Sequence, residues 1–136
     1  MITKYTSGTP IRTDAVIKDF AGIDINKFPV NYKIIDGKFI FSFDMQDSDI
    51  VFGLGEAPRG INKRGWIYES FCSDDPFHTE TKSSRYAARN FLMLNGSKSF
   101  GIFIDCPAKI RWDIGYTKPS RTEITVDGTD FDIYII

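Results

Sequence analysis

The stretch Lys38-Phe39-Ile40-Phe41-Ser42-Phe43-Asp44-Met45 decides the fold class of this chain. It sets Phe39, Phe41, Phe43 and Met45 on one side of an extended backbone, with Lys38, Ser42 and Asp44 on the other. A period of two is the mark of a half-buried strand, because successive side chains of a strand point to opposite faces. The same alternation recurs in VNYKII, DIVFGL, GWIYESF, NFLML, SFGIFID, KIRWDI, TEITV and DFDIYII. Asp36-Gly37, Asn95-Gly96 and Asp127-Gly128 stand between several of these runs and supply the positive backbone angles of tight hairpins. Only Thr13 to Phe20 has helical spacing, with Thr13 or Asp14 as cap and Val16, Ile17 and Phe20 on one side. Nine strands and at most one short helix predict an all-β antiparallel sandwich.

The 136 residues fit a single domain, residues 1–136, and fall well short of the about 250 residues of a catalytic barrel. Seventeen basic residues against eighteen acidic ones leave no net field to draw in nucleic acid or an anionic membrane. MITKYTSGTP lacks the apolar run of a signal peptide, and no segment reaches the roughly 18 apolar residues that cross a bilayer, so the expected location is cytoplasmic. Cys72 and Cys106 are expected as free thiols there. The end of the chain, DFDIYII, runs Phe131, Ile133 and Ile135 down one face and stops without a polar tail. Such an end reads either as a passage into a further domain or as an edge strand that closes the fold, and the first is the expectation adopted.

Chemistry concentrates in Phe71 to Glu80, FCSDDPFHTE, which holds Asp74, Asp75, a cysteine and the sole histidine. Adjacent carboxylates point to opposite faces of an extended chain, so Asp74 and Asp75 do not by themselves form an acid/base pair; a turn before Pro76 uses the same residue types. Cys72, Asp74 and His78 offer too few ligands in too irregular a spacing for zinc, and no metal or cofactor is expected. GLGEAPRG lacks the spacing of a phosphate loop, and no GxSxG is present. Trp66, Tyr68, Phe71, Trp112 and Tyr116 are read as core rather than as sugar-stacking faces. Asn62-Lys63-Arg64-Gly65 is read as an exposed turn.

Taken in order, Phe52-Gly53-Leu54-Gly55-Glu56, Asn62-Lys63-Arg64-Gly65, Cys72-Ser73-Asp74, Gly101-Ile102-Phe103-Ile104-Asp105-Cys106-Pro107 and Trp112-Asp113-Ile114-Gly115 resemble the amino-terminal domain of glycoside hydrolase family 31, the α-glucosidase family. The likeness is close from Val51 to about Tyr116. Cys72 and Cys106 stand where many relatives have asparagine, and Arg89-Asn90 replaces a common Ile-Pro.

The resemblance implies a galactose mutarotase-like sandwich ahead of a (β/α)8 barrel on the same polypeptide. The barrel would hold both carboxylates of a retaining hydrolysis of α-linked glucose from oligosaccharides. This chain would then have no catalytic residue and be inactive alone. It would lend the barrel a substrate-binding loop in which Asp74 meets the sugar, while Asp75 and Pro76 shape the turn. The face meant for the barrel would be apolar and open to self-association. The rival reading is a free-standing carbohydrate-binding sandwich, which requires an exposed aromatic platform. A mutarotase-like epimerase would need two histidines, and the chain has one.

Overall fold

A computed structural model of the chain describes all residues except 14–18, 28–29, 75, 78 and 84–86. Among the described residues, eleven strands form two facing sheets. The first contains β1 (Ile2–Ser7), β2 (Phe20–Gly22), β5 (Ile50–Gly53), β7 (Phe91–Asn95), β8 (Phe100–Asp105) and β11 (Phe131–Ile135), in the spatial order β2-β1-β11-β8-β7-β5. The second contains β3 (Asn31–Ile35), β4 (Lys38–Asp44), β6 (Trp66–Ser70), β9 (Ile110–Ile114) and β10 (Arg121–Val126), in the order β3-β4-β10-β9-β6. Every pairing is antiparallel except the short parallel contact of β1 with β2. The described residues include no α-helix, only a single 3-10 turn at Ile25–Lys27. The predicted helix lies largely outside the described residues; its last member, Phe20, opens β2.

The two inner faces carry the alternation that the sequence shows. Phe39, Phe41, Phe43 and Met45 are all buried, and across the sandwich Phe131 meets Phe39 and Phe41 edge-on at 5.0 and 5.8 Å, with Phe43 on Phe100 at 5.2 Å. Such rings bring about 2–3 kcal/mol each by burial alone, and their edge-to-face geometry adds to it. Trp112 and Tyr68 are buried in the same core, as expected, but Trp66, Phe71 and Tyr116 are exposed. Period-two spacing places a residue on a face; whether the opposing sheet reaches that far is a tertiary matter.

The turn signals divide. Asp36 and Gly37 both adopt positive φ, 50° and 73°, which is the two-residue turn that matches strand twist, and they join β3 to β4 as a hairpin. Asn95-Gly96 opens the β7–β8 hairpin. Asp127-Gly128 corrects the expectation: it lies between β10 and β11, which belong to different sheets, so it carries the chain across the sandwich. DFDIYII also departs from the edge-strand alternative, since β11 sits inside the first sheet with β1 on one side and β8 on the other. Its apolar character follows from that central place.

Candidate functional site

The segment from Phe71 to Asn90 joins β6 to β7, strands of different sheets, and contains the acidic stretch. Its outgoing limb starts from a fixed point. Ser70 Oγ accepts the indole N–H of buried Trp112 at 2.8 Å, and Glu69 pairs with Lys109 at 2.8 Å. The return limb is tied back to the same strand, because the Glu69 backbone N–H donates to Ser83 O at 2.8 Å. Between these ties Phe71, Cys72, Ser73, Asp74 and Phe77 are exposed, Phe77 at 75%. Asp74 therefore stands exposed to solvent on a loop closed at its neck. Asp75 and His78 lie outside the described residues.

The loop's neighbour is the segment 54–65, which precedes β6, and here the sequence expectation is corrected. Lys63 is 4% exposed rather than solvated. Its ammonium donates to the carbonyls of Ala57, Pro58 and Gly60 at 2.6, 3.1 and 2.6 Å, so a buried charge is met by three backbone dipoles. The Arg64 guanidinium donates to the carbonyls of Gln46, Asp47, Asp49 and Pro119, and Asn62 Oδ1 accepts the N–H groups of Val51 and Arg64. Gly53, at φ 119°, has its missing side chain's place occupied by Phe91 O, 2.3 Å from where a Cβ would stand. Only glycine allows that approach.

Arg59 links the two segments. Its backbone N–H donates to Glu80 Oε2 at 2.7 Å, Nε to Glu80 O at 2.7 Å, Nη2 to Thr81 O at 2.9 Å and Nη1 to Ile67 O at 3.1 Å. The guanidinium also lies over the rings of Trp66 and Tyr68, at 4.4 and 5.4 Å. Burial pushes the Tyr68 phenol up, against the opposing influence of Arg59, and the hydroxyl donates to Pro58 O at 3.4 Å. Sequence reasoning passed over Arg59 and misread Lys63, since a cation that bonds carbonyls leaves no pattern distinct from a solvated one. The one available signal is that Arg59 lies in the glycine-rich run GLGEAPRG, where side chains share space with exposed backbone.

Two further carboxylates are structural. Asp49, buried, accepts the backbone N–H of Ser97 and of Gln46 and the Ser97 hydroxyl, and these bonds hold it below the usual carboxylate range. Burial alone would raise Asp113, but its bonds from Thr117 and Arg111 outweigh burial and hold it low. Cys72 and Cys106 are both free thiols and line one cleft of about 290 Å³ with Asn90, whose amide donates to Cys106 O at 3.2 Å. Burial pushes the Cys106 thiol up, which makes it a poor nucleophile.

Residues 27–113 match the profile of the glycosyl hydrolase 31 N-terminal galactose mutarotase-like domain. The chain belongs to that family. This GH31 N-terminal domain is 23% identical to α-xylosidase XylQ of Lactiplantibacillus pentosus over 133 residues, 98% of the chain but 16% of the enzyme's length. Among solved structures, the GH31 dextranase of Flavobacterium johnsoniae aligns with 77% of the domain and 13% of its own chain, at a TM-score of 0.70 and 24% identity. The cycloalternan-degrading enzyme of Trueperella pyogenes aligns with 95% of the domain and 19% of its own chain, at a TM-score of 0.63 and 14% identity. Both likenesses are of fold. The domain thus spans about a sixth of the curated relative that it matches.

Proposed function

We propose that this domain works ahead of a (β/α)8 barrel in a retaining α-glucosidase, hydrolyses nothing by itself, and hands the barrel a substrate-binding loop whose tip carries Asp74. The observation that carries the reading is the family match, joined to a loop that is closed at its neck and leaves the Asp74 carboxylate exposed between Phe71 and Phe77. An exposed carboxylate accepts sugar hydroxyl protons and orients a ring without proton chemistry, and exposed aromatic faces beside it supply apolar contact. The α-xylosidase relative makes terminal α-xylosides the competing substrate class.

The test uses the chain alone and the enzyme that contains it with its barrel. The pure chain should release nothing from chromogenic α-glucoside or α-xyloside, and the barrel-bearing enzyme should prefer the glucoside. Asp74→Ala in that enzyme should lower kcat/KM by about tenfold or more, the worth of a hydrogen bond to a charged group. Cleavage by the pure chain, or an unaffected Asp74→Ala enzyme, overturns the reading; preference for the xyloside moves it to the other substrate. A groove of about 530 Å³ on the second sheet, lined by Lys33, Arg111, Asp113, Thr117, Lys118, Arg121 and Glu123, offers a free-standing sugar-binding module no aromatic platform there.

Self-association of the isolated domain belongs to the same proposal. All five residues of β3 are exposed, Ile34 at 54%, and an edge strand with open apolar side chains invites pairing. Light scattering should show a concentration-dependent rise in mass that Ile34→Lys abolishes; a monomer at every concentration removes this part.

A further inference from the structure

Among the described residues, a side chain from outside the acidic loop, that of Arg59, bonds to the loop's return limb. Ser70, before the loop, is fixed by Trp112, and Glu80, on its return limb, accepts from Arg59 through both its carboxylate and its carbonyl. Arg59 also holds Thr81 O, and through Ile67 O and the Trp66 ring it bears on β6 itself. It does so at a positive φ of 71°, a conformation a non-glycine residue keeps only when its surroundings enforce it. Those surroundings are visible: the turn that carries Arg59 is closed by Lys63 on the carbonyls of Ala57, Pro58 and Gly60.

We propose that Arg59 is the positioning residue of the acidic loop, fixing its return limb against β6 and so setting where Asp74 is presented to a bound sugar. This rests on the reading of Asp74 given above. The guanidinium suits the task because three of its nitrogens reach three separate carbonyls while its plane covers an indole, a flat fork that an ammonium does not have. A lysine at this position keeps the charge and loses the fork.

Two measurements separate the clamp from the substrate role. In the full chain, Arg59→Lys and Arg59→Met should speed amide hydrogen exchange across residues 79–83 by about tenfold or more, while the amides of β4 and β10 stay as protected as before. Unchanged exchange at 79–83 overturns the clamp, and equal loss of protection in β4 makes Arg59 a general stabiliser and overturns it too. In the barrel-bearing enzyme, Arg59→Lys should raise KM for an α-glucoside about tenfold with kcat changed less than threefold, and should add little on an Asp74→Ala background. Effects that multiply in the double variant overturn the route through Asp74. A neutral Asp74→Ala sinks the reading of the carboxylate and the positioning role with it, whereas accelerated exchange in the same experiment leaves the mechanical clamp standing, so the two failures are told apart.

Discussion

Two irregular segments flank β6, residues 54–65 before it and 71–83 after it, and they are built on opposite principles. The first turns its charges inward: Lys63, Arg64 and Asn62 satisfy backbone groups, Leu54 is buried, and Leu54, Gly55, Arg59, Gly60 and Gly65 all take positive φ. The second has its described ties near its two ends and leaves Asp74, Phe71 and Phe77 exposed. Absence of regular structure therefore says little about rigidity. What decides it is where the backbone carbonyls find donors, and in the first segment the donors are cations.

The largest effect that tests this contrast is Lys63→Met, which keeps the stem and leaves three carbonyls without their donor. It should cost about 2–3 kcal/mol, read as a lower urea midpoint at unchanged slope. A cost near zero would show that the segment 54–65 does not depend on the Lys63 ammonium. Arg64→Met comes next, at about 1–2 kcal/mol, because its four carbonyls are partly reached by water.

Acid should act on the framework rather than on the loop. Asp49 and Asp113 have folded-state values below their ordinary one, so the unfolded chain binds more protons and stability falls as pH drops. That stability is complete above about pH 4, the ordinary carboxylate value, and is lost as pH falls through the depressed folded-state values. Denaturation followed from pH 6 to pH 2 should show the decline, and Asp49→Asn should flatten part of it; an Asp49→Asn chain with the same acid profile would remove Asp49 as a contributor. The smallest effect belongs to Asp74→Ala, within about 0.5 kcal/mol by the same urea assay. A larger loss would mean that the tip of the loop is part of the framework, and the contrast between the two segments would fail.

The strands that repeat an apolar-polar alternation were legible because burial imposes it: β4 and β10 read directly as inward and outward rows, and the nine predicted strands all have counterparts. The missed ones lack that imprint. β1, ITKYTS, is mostly polar and holds its place through Lys4 on Asp132 at 2.7 Å and a full register with β11, while β2 has three exposed residues. Pairing partners are a tertiary fact, and for the same reason Asp127-Gly128 reads as a hairpin and turns out to cross between sheets. At the candidate site the sequence draws attention to Asp74 and Asp75, because carboxylates in a turn are conspicuous, and it sets Asp74 apart only through the resemblance to the family. It cannot single out Arg59 or Lys63, because what distinguishes them is which carbonyls lie within reach.

The placement of β11 between β1 and β8 also governs how the molecule can be made. Thr3 lies opposite Ile135, so one border of β1 stays unpaired until residues 131–135 have been synthesised. Until then a nascent chain carries two unpaired borders, and topology of this kind closes slowly. Refolding of the full chain should accordingly be slow for its size, and a chaperone that shields β1 during synthesis would be guarding a gap that only residues 131–135 can fill.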